Sequence, residues 1–185
     1  MPHDPLSFAL RPTLVLGGAR SGKSRFAERI AQQSNLIRVY LATATGGDDE
    51  MRTRIAHHRA QRGDGWRTVE EPLALVDTLS REACEGVVVL VDCLTLWLSN
   101  LMHASRDVEA ETKAVADWLR DTRHPVLLVS NEVGLGLVPE TPLGRDFRDA
   151  QGRLNQAIAA VVPNVAFVAA GLPLWLKRES IEGTP

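Results

Sequence analysis
The octapeptide Gly17-Gly18-Ala19-Arg20-Ser21-Gly22-Lys23-Ser24 fits the pattern G-x-x-x-x-G-K-[ST], and it directly follows the aliphatic run Thr13 to Leu16. Gly17 and Gly22 permit backbone angles that a side chain would forbid, so successive amides can converge on phosphate oxygens at the positive end of the helix that follows. Lys23 adds a point charge on the terminal phosphates. The Ser24 hydroxyl is suited to ligate Mg²⁺, which neutralises phosphate oxygens for in-line displacement. The chemistry expected is capture of a nucleoside triphosphate by its phosphates; the alternative is a glycine-rich turn with a surface lysine. Asp92 is the expected partner of Ser24 on the metal. It closes the apolar run Val87 to Val91, at the carboxyl end of a strand, where ligands bind in open α/β sheets. An aspartate in that place also serves as a helix cap, and the helical stretch LTLWLSNL begins two residues later.

The chain carries no N-K-x-D sequence for reading guanine, its nearest approach being Asn131-Glu132-Val133. Asp92-Cys93-Leu94-Thr95 lacks the glycine of a switch-type D-x-x-G, so a Ras-like switch is not expected. A second candidate lies in the segment from Asp48 to Arg62, which opens on acidic residues, continues with cations, and suits a helix dipole. Met51, Ile55 and His58 share one face of that predicted helix. Neighbouring helical side chains point about 100° apart, so His57 and His58 do not readily chelate one ion, and no H-E-x-x-H pattern is present. Neutral imidazole is nonetheless a competent nucleophile toward phosphorus, which opens the way to a covalent nucleotide carrier. On the residues alone, two solvated histidines are the simpler reading, and helical geometry does not choose between them.

These residues need elements to hold them. Short aliphatic or β-branched runs recur at Thr13 to Leu16, Arg38 to Ala42, Val87 to Val91, Val126 to Ser130 and Val165 to Ala169. Helical stretches alternate with them at Lys23 to Gln33, Asp48 to Arg62, Leu73 to Ala83, Val108 to Thr122 and roughly Leu143 to Val161. Continuous apolar runs such as VVVLV suit strands buried on both faces, and alternating helices supply crossover connections. The expected fold is therefore α/β, a mostly parallel sheet flanked by helices.

A length of 185 residues suits one domain, assigned to 13–185 and preceded by an N-terminal extension over 1–12. With 44% hydrophobic and 24% charged residues, the composition excludes disordered, collagen-like and coiled-coil classes. A formal charge of -2 gives no field that would recruit nucleic acid or an anionic membrane. Cys84 and Cys93 read as buried thiols of a reducing compartment, and the N-terminus has no signal-peptide pattern, so a cytoplasmic location is expected. No charge occurs from Leu154 to Leu176, yet Asn155, Gln156, Pro163, Asn164, Gly171 and Pro173 interrupt that stretch. It reads as the end of a helix, a turn and a buried strand rather than a membrane span. Arg145, Arg148 and Arg153 read as a solvated face or subunit contact, and the four tryptophans as core.

Taken together and in order, GGARSGKS, YLATA, DDEMRTRIAHHRAQR followed by WRTVEE, VDCLT and VSNEVGLGLVP resemble the bifunctional adenosylcobinamide kinase / adenosylcobinamide-phosphate guanylyltransferase family of cobalamin biosynthesis. The resemblance runs from Leu14 to Leu176. It implies a P-loop NTPase fold of the RecA-like branch, a trimeric assembly, and two reactions: phosphorylation of adenosylcobinamide by ATP or GTP, then transfer of GMP from GTP to the product phosphate. It implies that His57 carries GMP covalently, which displaces the simpler reading of the histidine pair. Implied nucleotide contacts are Gly17, Gly18, Ala19, Arg20, Ser21, Gly22, Lys23 and Ser24, then Ala42, Thr43 and Ala44, then His58, Arg59, Ala60 and Gln61, and the carboxylates Glu70 and Asp92. The stretch between Asn100 and Pro125 is short beside fuller family members. Two rivals remain on the residues themselves: a phosphate-loop kinase of another small alcohol, and a nucleotide-dependent ATPase binding module.

Overall fold
In a computed structural model of the chain, the structure describes residues 11–44 and 63–179. Among them the elements run β1 (Thr13–Gly17), α1 (Lys23–Gln33), β2 (Ile37–Ala42), β3 (Trp66–Glu70), α2 (Leu75–Glu82), β4 (Val87–Asp92), α3 (Leu94–His103), α4 (Val108–Asp121), β5 (Val126–Asn131), α5 (Pro142–Val161), β6 (Asn164–Ala169) and β7 (Leu172–Lys177). The strands form one sheet in the order β3-β2-β4-β5-β1-β6-β7. Every pair is parallel except β6 with β7.

Both faces of the sheet are covered, which is why its central strands are apolar throughout. Along β4, Val87, Val89 and Val91 join one core layer with residues of α2, α3, α4 and α5. Val88 and Leu90 point the other way, against Phe26, Ala27, Ile30 and Ala31 of α1. A two-residue period thus feeds two cores from one run. Helix starts are fixed locally: the Asp107 side chain accepts the Ala110 N–H before α4, and Thr141 accepts the Gly144 N–H before α5, with Pro142 in the first turn. At the sheet margin Arg67 of β3 pairs with Glu82 of α2, and that hydrogen bond holds the Glu82 carboxyl below the usual carboxylate range.

Two strands, β3 and β7, go beyond the five predicted. Both lie at sheet edges: WRTVE has no apolar run, and LPLWLK is apolar but broken by Pro173, which is tolerated because an edge strand has a free side. The predicted terminal strand instead turns back through Ala170 and Gly171, at φ 50° and 78°, into an antiparallel hairpin. The expectation of two buried thiols fails for Cys84, which is exposed in the turn after α2; Cys93 is buried. Of the tryptophans, Trp97 is fully buried, whereas Trp66, Trp118 and Trp175 are half-buried. The predicted helix over Asp48 to Arg62 lies outside the described residues. No helix among the described residues is long and apolar enough to cross a membrane.

Candidate active site
Parallel strands bring their carboxyl ends to one edge of the sheet, and the phosphate loop lies there between β1 and α1. Within it the Ser21 N–H donates to the Gly18 carbonyl at 3.3 Å and the Phe26 N–H to the Gly22 carbonyl at 2.9 Å. Arg20 and Gly22 take positive φ values of 56° and 94°, the second being the position that calls for glycine. Gly17 is needed for a different reason. Its φ is unremarkable, but a Cβ there would stand 2.5 Å from both the Val168 carbonyl oxygen and Ser21 Oγ. Lys23 is buried, and its ammonium folds back over the loop to donate to the Gly18 carbonyl at 3.0 Å. Ser21 Oγ is buried and has no hydrogen-bond partner among the described residues, a polar atom left over inside the turn.

The tip of the β6–β7 hairpin braces this loop. The Gly171 N–H donates to the Ser21 carbonyl at 2.8 Å, and a Cβ on Gly22 would meet Gly171 Cα at 3.1 Å. On the other flank of β1 stands β5, with the Glu132 N–H donating to the Gly17 carbonyl at 3.1 Å. The end of β5 is clamped by side chains. The Asn131 N–H donates to Thr95 Oγ1 at 2.8 Å, and Asn155 Nδ2 donates to the Asn131 carbonyl at 3.0 Å. Asn155 Oδ1 in turn accepts from the Ser130 hydroxyl at 2.7 Å and from Gln151 Nε2 at 3.0 Å, all buried.

Asp92 ends β4, one strand beyond β5. The Thr43 hydroxyl, fully buried, donates to the Cys93 carbonyl at 2.7 Å and accepts the Cys93 N–H at 2.9 Å. Asn100 Nδ2 donates to the Thr43 carbonyl at 2.7 Å, so α3 holds the same junction. Burial pushes the Cys93 thiol up to about 11; the Asp92 carboxylate adds to the rise and the Lys23 ammonium opposes it. Lys23 and Asp92 therefore act electrostatically on one neighbourhood, although a strand separates their elements.

The structure brings Gly17 through Ser24 and Asp92 to adjoining positions on one edge. Ala42 pairs with both Asp92 and Glu70, which continues the row outward through Ala42, Thr43 and Ala44 to Glu70. Four strand spacings, about 19 Å at the usual separation, divide β3 from β1. Glu70 thus stands at the outer end of this row, on the edge strand farthest from β1 on that side. His57, His58, Arg59, Ala60 and Gln61 lie outside the described residues. Among the described residues no three His, Cys, Asp or Glu side chains gather to hold a metal. Ser24 and Asp92 supply hard oxygen donors, the set that suits Mg²⁺ taken up chiefly through substrate phosphates. The polar clamp at the end of β5 and the bracing hairpin escaped sequence reasoning. Its one visible trace is the pair Gln151 and Asn155, four apart on α5 and therefore on one helical face.

Comparison with known proteins adds the family. A family model described as cobinamide kinase / cobinamide phosphate guanyltransferase matches residues 13–176. The chain is 52% identical over 170 residues to the bifunctional adenosylcobalamin biosynthesis protein CobP of Pseudomonas aeruginosa, covering 91% of this chain and 98% of that protein. It is 38% identical over 179 residues to the corresponding protein CobU of Escherichia coli (strain K12), covering 89% and 98%. Among solved structures, the type III secretion ATPase EscN of enteropathogenic E. coli superposes with a TM-score of 0.57 at 10% identity, over 88% of this chain and 43% of that one. The flagellar accessory protein FlaH of Methanocaldococcus jannaschii superposes with a TM-score of 0.53 at 12% identity, over 94% and 81%. Those two likenesses speak to the fold alone, an α/β sheet of the P-loop, RecA-like kind. With its phosphate loop on β1, Asp92 beyond the interposed β5, and a match over most of its length, the chain belongs to the cobinamide kinase / cobinamide phosphate guanyltransferase family.

Proposed function
We propose that the protein phosphorylates a hydroxyl of adenosylcobinamide with ATP or GTP and then transfers GMP from GTP to that phosphate, giving adenosyl-GDP-cobinamide and pyrophosphate. The observation that carries this reading is the Gly17–Ser24 loop, with Lys23 folded over it and Asp92 on the same edge, in a chain so similar to its bifunctional relatives. In the kinase step the loop amides and Lys23 stabilise charge on the transferring γ-phosphoryl group. A loose transition state needs positioning and neutralisation more than a strong base. In the transfer step neutral His57 attacks the α-phosphorus of GTP. A P–N bond forms as the bond to pyrophosphate breaks, and a phosphate oxygen of the acceptor then displaces the imidazole. Two inversions give net retention at phosphorus.

Ser24 and Asp92 would hold Mg²⁺, which neutralises phosphate oxygens when bound. The outer row, Ala42, Thr43, Ala44 and Glu70, would meet the part of a nucleotide remote from the loop, together with His58, Arg59, Ala60 and Gln61. The Thr43 side chain is already engaged with Cys93, so its contribution is to hold the edge rather than to offer its hydroxyl. We place the activity in the cytoplasm, in keeping with two free thiols and nucleotide substrates. We further infer a homotrimer, as the family resemblance implies, for which the exposed Leu172, Leu174 and Leu176 of β7 offer an apolar contact surface.

The reading is tested with GTP labelled at the α-phosphorus. Unsubstituted protein is expected to take up acid-labile label without any corrinoid, and His57→Ala to take up none, while γ-label still passes to adenosylcobinamide. Lys23→Ala is expected to depress both reactions at least about a hundredfold, the scale of losing an electrostatic stabiliser. Protein that never acquires α-label, or a Lys23→Ala variant with unaltered rates, contradicts the shared-site scheme.

A further inference from the structure
The two flanks of the phosphate loop differ. On the β6 side the chain fills its own space, because the hairpin tip at Gly171 packs against Ser21 and Gly22. On the β5 side the connection from Glu132 to Thr141 leaves Leu135 81%, Leu137 96% and Val138 65% exposed, and Leu143 in the first turn of α5 is 64% exposed. This is not a loose end. Its start is tied to Gly17 through the Glu132 N–H, and the Glu132 carboxylate accepts the Gly134 N–H at 2.8 Å. Its end is held by the Arg145 guanidinium, which donates to the carbonyls of Pro139 and Glu140 at 3.1 and 2.8 Å. A connection fastened at both feet thus presents bare leucines beside the loop that grips the triphosphate. Apolar side chains grouped in this way mark a place for something to bind.

We propose that this connection is the surface on which the corrinoid acceptor rests, its macrocycle lying on Leu135, Leu137, Val138 and Leu143 while its side-chain oxygen reaches the nucleotide phosphorus. The assignment deepens the reading of the preceding subsection and rests on it. Geometry favours it, since the acceptor must approach from the sheet edge and the hairpin occupies the opposite flank. The chemistry fits as well. A corrin ring has broad faces edged with methyl groups. Adenosylcobinamide also keeps one net positive charge at its trivalent cobalt, because the ring and the adenosyl carbanion offset only two. The stretch EVGLGLVPET supplies two carboxylates, Glu132 and Glu140, against the one guanidinium fastened to it, Arg145, so the connection stays net negative.

The test compares the unsubstituted protein with a double variant, Leu135→Ser with Leu137→Ser. Both side chains are outside the core, so the variant should fold. The expected result is a KM for adenosylcobinamide raised at least about tenfold in γ-phosphate transfer, the scale of removing apolar contacts from a substrate pocket. Uptake of α-label from GTP without corrinoid should proceed at the unsubstituted rate, and native mass by light scattering should be unchanged. An unaltered KM overturns the assignment, and so does a fall in native mass, which would make the leucines a subunit contact. If the unsubstituted protein neither takes up α-label nor phosphorylates the corrinoid, the preceding reading falls and this one with it. Labelling and phosphorylation intact beside an unaltered KM sink this proposal alone.

Discussion
At the scale of single residues, Gly17 and Gly18 are adjacent and chemically identical, yet their surroundings set them apart. A methyl group on Gly17 would be driven into the Val168 carbonyl of β6, which the sheet pairing cannot move, whereas one on Gly18 would meet nothing within 4 Å. Gly17→Ala is therefore expected to lower unfolding stability by about 1–3 kcal/mol, the usual cost of overpacking. Gly18→Ala should stay within about 0.5 kcal/mol of the parent, as surface changes do. Urea unfolding without nucleotide measures both, and equal midpoints for the two variants would contradict the contrast. Lys23 illustrates the same dependence on surroundings, because it is its fold back over Gly18 that places the charge above the loop.

At the scale of elements, the end of β5 depends on α5. Asn155 is the hub of a buried polar group, accepting from Ser130 and Gln151 and donating to the Asn131 carbonyl. Removing it takes the acceptor from the buried Ser130 hydroxyl, which keeps only the bond it accepts from Gln151 Nε2, and a donor from the Asn131 carbonyl. Asn155→Ala is therefore expected to cost about 2–4 kcal/mol, the desolvation penalty of polar atoms left short of partners. Gln151→Leu should cost less: it removes the two bonds that Gln151 Nε2 donates, to Ser130 Oγ at 2.9 Å and Asn155 Oδ1 at 3.0 Å, but the Ser130 hydroxyl still donates to Asn155 Oδ1. Denaturant midpoints would rank the two, and the reverse order would show that Gln151 carries the network. Of this element, sequence reasoning saw the strand from Val126 to Ser130 but not what fixes its end. Apolar runs are visible as periodicity, whereas a polar clamp joins residues some 25 positions apart, Ser130 with Asn155.

At the scale of the whole molecule, β7 closes one margin of the sheet with its leucines uncovered, while Trp175 on its other face packs against Phe26. Long apolar edges invite association unless they are buried. Sedimentation is expected to find three copies in the native particle, and Leu174→Glu is expected to reduce it to single chains, since a buried unpaired carboxylate opposes the contact. A particle unchanged by Leu174→Glu would place the interface elsewhere.

By itself the sequence determined the phosphate loop, the α/β alternation, the central strands and the placing of Asp92 at a strand end, because each is a local pattern of spacing or periodicity. The family resemblance was legible for the same reason: its motifs are contiguous. Strand order was decided only in three dimensions, and with it the insertion of β5 between β1 and β4, the distance of Glu70 from the loop, and the bracing of Ser21 by Gly171. Those features depend on which elements become neighbours after the chain turns back on itself. Local spacing carries no record of that; of the two edge strands missed, β3 has no apolar run and β7 is broken by Pro173.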